Sequence, residues 1–408
     1  MVITTGEPTI LRNADPPALM QETRIREGEV AELGRVEGDL RAGDHVTIRA
    51  ADGRAVSVSG RAEFEGSVEI DCDFDCLSLE SRDGLARVSG DLTVRGRIDV
   101  EEALYTRGTV KAEDVDVGGK LSVGGSLEAH KVDVGGSIDV QGDVTADSVD
   151  AGGSFDASGS IRLQRLDVGG TASVGGGEAV GDIDVGGKFV SAKVLHFDKI
   201  DTGGIVELRG GEGKTVEVGG KLRSDGDLKC EEVRVGGVAE INGGLWVRSA
   251  EVGGKIRVTG DLQMEDRLQV GGVAEIGGVL SGVDAEVGGI LKALKAVLTG
   301  RAEVGGRVET SQGFKADSVE LGNGARCFGA LVGGRVRIGR SAQVQDVYCV
   351  DLEVDGGTRM GNVYAEKADI GDNCVVDRLV YTKELREGER VRHRDPPEKT
   401  DRLPSFPL

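Results

Sequence analysis

The sequence predicts an all-β chain: a single-stranded, three-sided parallel β-helix of about 17 residues per coil. Three observations point there. Glycine recurs at a fixed step over more than half of the chain. Between the glycines, apolar residues alternate with polar ones in runs too short for helices. Gly accounts for 67 of the 408 residues, whereas Pro numbers 7 and aromatics make up 3%, which suits a narrow β core with many tight corners.

The step is seventeen. Starting from Gly118 it reaches Gly135, Gly152, Gly169, Gly186, Gly203, Gly220, Gly237, Gly254, Gly271, Gly288, Gly305, Gly322, Gly339 and Gly356, fifteen glycines without a miss. The next step lands on Asn373, the residue type that best replaces Gly at positive φ. The column holds the first Gly of a Gly-Gly pair up to Gly203, the second from Gly220 to Gly254, and the first again from Gly271. Turns absorb such single-residue slips.

One coil reads GGKLSVGGSLEAHKVDV, Gly118 to Val134. Leu121 and Val123 alternate with polar residues before Gly124-Gly125; Leu127 and Ala129 alternate before the corner His130-Lys131; Val132 and Val134 lead to the next pair. That is three short strands of period two and three corners. A lone coil cannot bury its apolar face, and stacking the next coil on it does. The Gly-Gly corners are expected to supply positive φ at sharp bends. Residues 30–117 show the same alternation with looser spacing, so the β-helix is expected over 29–382. Residues 1–28, with Pro8, Pro16 and Pro17, and residues 383–408, charged and carrying Pro396, Pro397, Pro404 and Pro407, read as flexible tails.

Composition narrows function. The formal net charge of −21 disfavours nucleic acid and anionic lipid, which demand basic patches. No stretch approaches the ~20 apolar residues of a membrane span, and MVITTGEPTILRNADPP has no basic segment followed by an apolar one, so no signal peptide is expected. Six scattered cysteines form no disulfide framework. A cytoplasmic location is therefore expected.

Side-chain chemistry comes next. The residue two places before each Gly-Gly corner is acidic in eleven of fourteen coils, from Asp116 through Asp133, Asp150 and Asp167 to Glu303 and Glu320. This outward stripe would either attract cations or partner proteins, or serve as a solvated face that keeps sheets apart. Its acids precede the Gly-Gly, unlike the Ca²⁺-binding β-roll repeat. Cys72 and Cys76 share a strand face with Phe74, and Cys230, Cys327 and Cys349 fall on inward columns; with no second ligand pair, buried thiols are expected and no metal. The four His do not share a column, and His130 alone sits at a corner, as the general base of hexapeptide acyltransferases does. The coil, however, divides as six, six and five at Val117, Val123, Ala129 and Val134, not in strict sixes. Phosphate loops need a following helix, and no helical period occurs in 30–382. No catalytic residue and no cofactor are expected.

The two ends remain. Val30, Leu33, Val36 and Leu40 are expected to open the core, and Val375, Val376, Leu379, Val380 and Tyr381 to close it, with no amphipathic helix over either. Uncapped parallel coils invite end-to-end stacking; tails folded over them would plug them.

The stretch GRVEGDLRAGDHVTI (Gly34 to Ile48) resembles the recurrent unit of the bactofilins, the polymer-forming cytoskeletal proteins, and VSGDLTVRGRIDV and VGGSIDVQGDVTADSV repeat its flavour. The resemblance implies a right-handed helix, polymerisation through terminal coils without nucleotide, and a scaffolding role in cell shape or in positioning other proteins. It covers most of 30–380, in a solenoid about three times longer than the compact bactofilin core. Many bactofilins attach to membrane through the N-terminus, and here MVITTGEPTILR is only weakly apolar. The partner expected is thus a second copy of the chain, with other proteins reached through the tails or the acidic face. The alternative is a β-helical, non-catalytic subunit or scaffold of a larger enzyme or Fe–S assembly complex.

Overall fold

The computed structural model describes residues 22–405. Among them there is no helix, and the chain divides into two compact units, Met1–Gly125 and Ser126–Leu408. Each unit is a parallel β-solenoid.

The first unit opens with β1 (Glu22–Ile25), β2 (Val30–Leu33), β3 (Arg35–Val36), β4 (Asp39–Ala42), β5 (Val46–Ala50) and β6 (Ala55–Val58). β1 pairs with β4, β2 with β5 and β3 with β6, all in parallel, so every coil contributes one strand to each of three ladders. The looser spacing has a local cause. Partners are 17 residues apart at Val30 and Thr47 but 22 apart at Arg35 and Ser57. The extra residues form the exposed turn Ala51–Arg54, where Gly53 takes φ +71°.

In the second unit two of the three sides often merge into one strand of eight residues, such as Val144–Ala151, Ile161–Val168, Leu228–Val235 and Phe314–Leu321. The corner expected at His130-Lys131 persists as a bend within these strands. Ala146 pairs with Leu163 and Ser148 with Arg165, while Asp147 between them drops out of the ladder. The slips in the glycine column also become visible. A residue is lost at Arg209–Gly210, where Gly210 takes φ +112°. One is gained at Glu265–Asp266, which splits that coil's long strand in two. From Leu331 the step shortens to 16, as from Val347 to Val363 and on to Leu379, before it returns to 17 at Lys367 and Glu384 and at Val375 and Arg392.

Inside, small aliphatic residues stack coil on coil, and Phe64, Phe74, Phe155, Phe189 and Phe314 are fully buried where the bore admits a ring. At ~25 cal/mol per Å² of buried apolar surface, this stacking is what holds the coils of each unit together.

The boundaries at both ends differ from those expected. The solenoid already includes Glu22–Ile25, the turn that follows carries Gly28 at φ +70°, and residues 1–21 of the expected tail lie outside the described residues. At the other end residues 383–399 are not a tail: one strand runs Val375–Glu387, and Arg392–His393 and Glu398–Lys399 pair upon it, while residues 406–408 lie outside the described residues. Charge and proline content suggested a loose segment, but its backbone completes a further coil.

Candidate functional site

The glycine column works by close approach and not by unusual dihedrals. None of the fifteen column glycines has positive φ, which corrects the expectation from Gly-Gly bends. Instead, at twelve of the fifteen a Cβ would run into the corner carbonyl of the preceding coil. A Cβ on Gly254 would stand 2.6 Å from the Gly237 carbonyl oxygen, and one on Gly203 would stand 2.8 Å from that of Gly186. Positive φ does occur at Asn373, +59°, as its place in the column suggested.

The acidic stripe is in register along its ladder, Asp133 beside Asp150, Asp150 beside Asp167, and on through Asp184 and Asp201 to Glu217. It is not bare. Two residues before the stripe position, several coils carry a cation: Lys131, Arg165, Lys199 and Arg301 before an acid, Arg267 before Gln269 and Arg335 before Arg337. Lys199 lies 3.0 Å from Asp201 and 3.2 Å from Glu217. In the first unit Arg97 holds Asp99 at 3.1 Å and Asp116 at 2.7 Å. At these positions one cation serves two coils, and the stripe there acts as an internal tie. Between such coils stands Asp150, whose strand carries Ser148 in place of the cation. Burial, together with Asp167 and Asp133 on either side, pushes its carboxyl up.

A second device escaped the reading of the sequence. At corners where an Asp follows a Gly, the carboxylate accepts the backbone N–H of the coil above. Asp91 accepts from Thr109 at 2.7 Å, Asp143 from Ser160 at 2.7 Å, Asp227 from Gly244 at 2.8 Å and Asp261 from Val279 at 2.7 Å. Asn323 does the same for Arg340 at 2.9 Å. These bonds satisfy donors that the ladder cannot reach where the chain turns. The signal was the recurring Gly-Asp with a Gly stacked one coil later, as Gly159 stacks on Asp143 and Gly278 on Asp261.

All six cysteines are free and buried. Burial pushes the thiols of Cys76, Cys230, Cys327 and Cys349 up to about 12 and also raises those of Cys72 and Cys374. Such groups are not nucleophiles at neutral pH. His130 stands at its corner with Nδ1 3.0 Å from Asp147, whose other oxygen accepts from Gln164 at 3.0 Å. Two open grooves of about 460 and 500 Å³ run along corners of the second unit, one past Phe328 and Met360, the other past Trp246, Lys229 and Arg248.

Searches against family models, curated proteins and solved structures returned no match. No helix of the described residues is long and apolar enough to cross a membrane.

The expected assembly residues fall differently at the two ends. Val30 pairs with Thr47 and projects outward, 55% exposed; Ala31, which aligns with the buried Ile48, is the inward residue. Leu33 is half-buried, while Val36 and Leu40 are buried. Val30 is thus an edge residue and not the start of the core. At the other end Val375 and Val376 are covered by Arg392 and His393, and Val380 and Tyr381 by Glu398 and Lys399. Leu379 is fully buried. That end is therefore closed over two of its sides, because residues 388–399 fold back as a last coil.

Proposed function

We propose that this chain is a non-catalytic, cytoplasmic scaffold that self-associates by continuing its parallel ladders from one copy to the next, without nucleotide. The observation that carries the reading is the first coil. Among the described residues, β1, β2 and β3 have ladder partners on one side only, and Val30 stands exposed on β2. An unpaired parallel edge is a template for another strand running the same way. Parallel pairing requires a head-to-tail contact, since two like ends would meet antiparallel; head-to-tail contacts propagate. The likeness of Gly34–Ile48 to the bactofilin unit points the same way, toward a structural polymer. Buried, free cysteines suit a reducing compartment.

Electron microscopy of the purified chain, without nucleotide, tests this. Assemblies that lengthen with concentration, and are lost in Val30→Lys, are expected; particles of single-chain size at every concentration would refute it.

A further inference from the structure

We infer that the coil formed by residues 388–399 is a releasable cap, which withholds the strand Val375–Glu387 from the first coil of a second copy. The inference rests on the self-association proposed above.

The cap has shorter strands and less burial than the coils beneath it. Its two strands, Arg392–His393 and Glu398–Lys399, are two residues long each. Its backbone meets the coil below at Gly388 N–H to Ile370 at 2.8 Å, Asn373 N–H to Glu389 at 2.8 Å, Glu389 N–H to Asp372 Oδ1 at 2.6 Å, Arg392 N–H to Cys374 at 2.9 Å, Arg394 N–H to Val376 at 3.1 Å and Asp395 N–H to Asp377 at 3.0 Å, with Thr400 N–H to Tyr381 at 2.9 Å just beyond it. Pro396 and Pro397 interrupt it and offer no N–H. Nothing in 388–399 is fully buried; only Val391 and His393 are even partly covered. Segments with few buried contacts open first.

The fit is poorest at the centre. Buried apolar residues stack in the column Val308, Cys327, Val344, Met360 and Val376, and the cap places His393 on top of it. The ring is 12% exposed and its Nε2 lies 2.5 Å from Glu387 Oε1, but Nδ1 is buried without a partner. An imidazole with an orphaned nitrogen closing an apolar column makes a poor seal.

Beneath it lies a strand that is long for this fold, Val375–Glu387, with Val376, Leu379 and Val380 buried under the cap. With the cap lifted, the strand presents a parallel edge of the polarity that β1, β2 and β3 of another copy would extend. The closed cap lowers apparent association affinity by the fraction of molecules that are open.

Two full-length variants test this: His393→Leu, which completes the apolar column, and His393→Asp, which sets a second carboxylate against Glu387. Hydrogen exchange of residues 388–400 is followed beside sedimentation of the same samples. In the wild type these amides should exchange faster than those of Arg359–Ile370. His393→Asp should speed their exchange and lower the concentration for association ~10-fold, in proportion to the open fraction, and His393→Leu should do the reverse. Exchange at 388–400 as slow as at Arg359–Ile370 overturns the cap, whatever the chain's association. Faster exchange in His393→Asp with unchanged association overturns the masking of an interface, even if the wild type self-associates. A wild type and both variants that remain single chains, with the exchange differences intact, would count instead against the self-association reading.

Discussion

The guanidinium of Arg301 lies 2.6 Å from the carboxylate of Glu320, nineteen residues along the chain but on the adjacent coil. The same group lies 3.0 Å from Glu303 on its own strand. Arg301 shares this arrangement with Arg97 and Lys199, each of which straddles two acids on adjacent coils. A double-mutant cycle of Arg301→Ala and Glu320→Ala should return a coupling of ~0.5–1 kcal/mol, typical of exposed pairs, and fall with added salt. Zero coupling at low salt would remove the tie.

The glycine column predicts a contrast between two substitutions of the same kind. Gly254→Ala drives a methyl into the Gly237 carbonyl and should cost about 1–3 kcal/mol in chemical denaturation. Gly34 has open space where a Cβ would sit and no positive φ, so Gly34→Ala should stay within ~0.5 kcal/mol of the wild type.

Thr202 interrupts a valine column. It is buried between Val185 and Val218 on neighbouring coils, and its hydroxyl has no partner. Thr202→Val keeps the shape and removes an unpaired polar atom, so it should raise stability by ~1 kcal/mol, read as a higher denaturant midpoint at unchanged slope.

Acid should loosen the fold, with one exception inside the stripe. Arg234, and then Lys199, hold Glu217 below the usual carboxylate range, and Lys221 and Lys255 do so for Glu240 and Glu275. A depressed carboxylate stabilises above its unfolded-state value, and that stabilisation is lost as pH falls through the folded one. Asp150 has the opposite sign: its carboxyl is raised, so its charge costs stability at neutral pH and the cost vanishes as pH falls. Thermal melts should therefore show the wild type less stable at pH 4 than at pH 7. Asp150→Asn should melt above the wild type at pH 7, by ~0.5 kcal/mol or less, and level with it at low pH.

The fold was legible because its cause is periodic. A coil that must stack on its neighbour repeats its inward residues and its corner glycines, and Gly118 to Gly356 display that step directly. The dihedral reason given to those glycines was wrong, since a sequence does not distinguish a residue that lacks a Cβ for φ from one that lacks it for a carbonyl above. The cation period went unseen because Lys131, Arg165 and Lys199 occupy every second coil and vanish in a seventeen-residue comparison. The final coil was hidden for another reason: Arg392–His393 and Glu398–Lys399 pair through the backbone, which leaves no apolar alternation to read.

Sedimentation velocity of the purified chain, free of nucleotide and taken over a hundredfold range of concentration, tests the central claim most directly. The account predicts a sedimentation coefficient that climbs with concentration in the wild type and stays at the single-chain value in Val30→Lys. One concentration-independent boundary for the wild type, at the value of a 42.6 kDa chain, would contradict it.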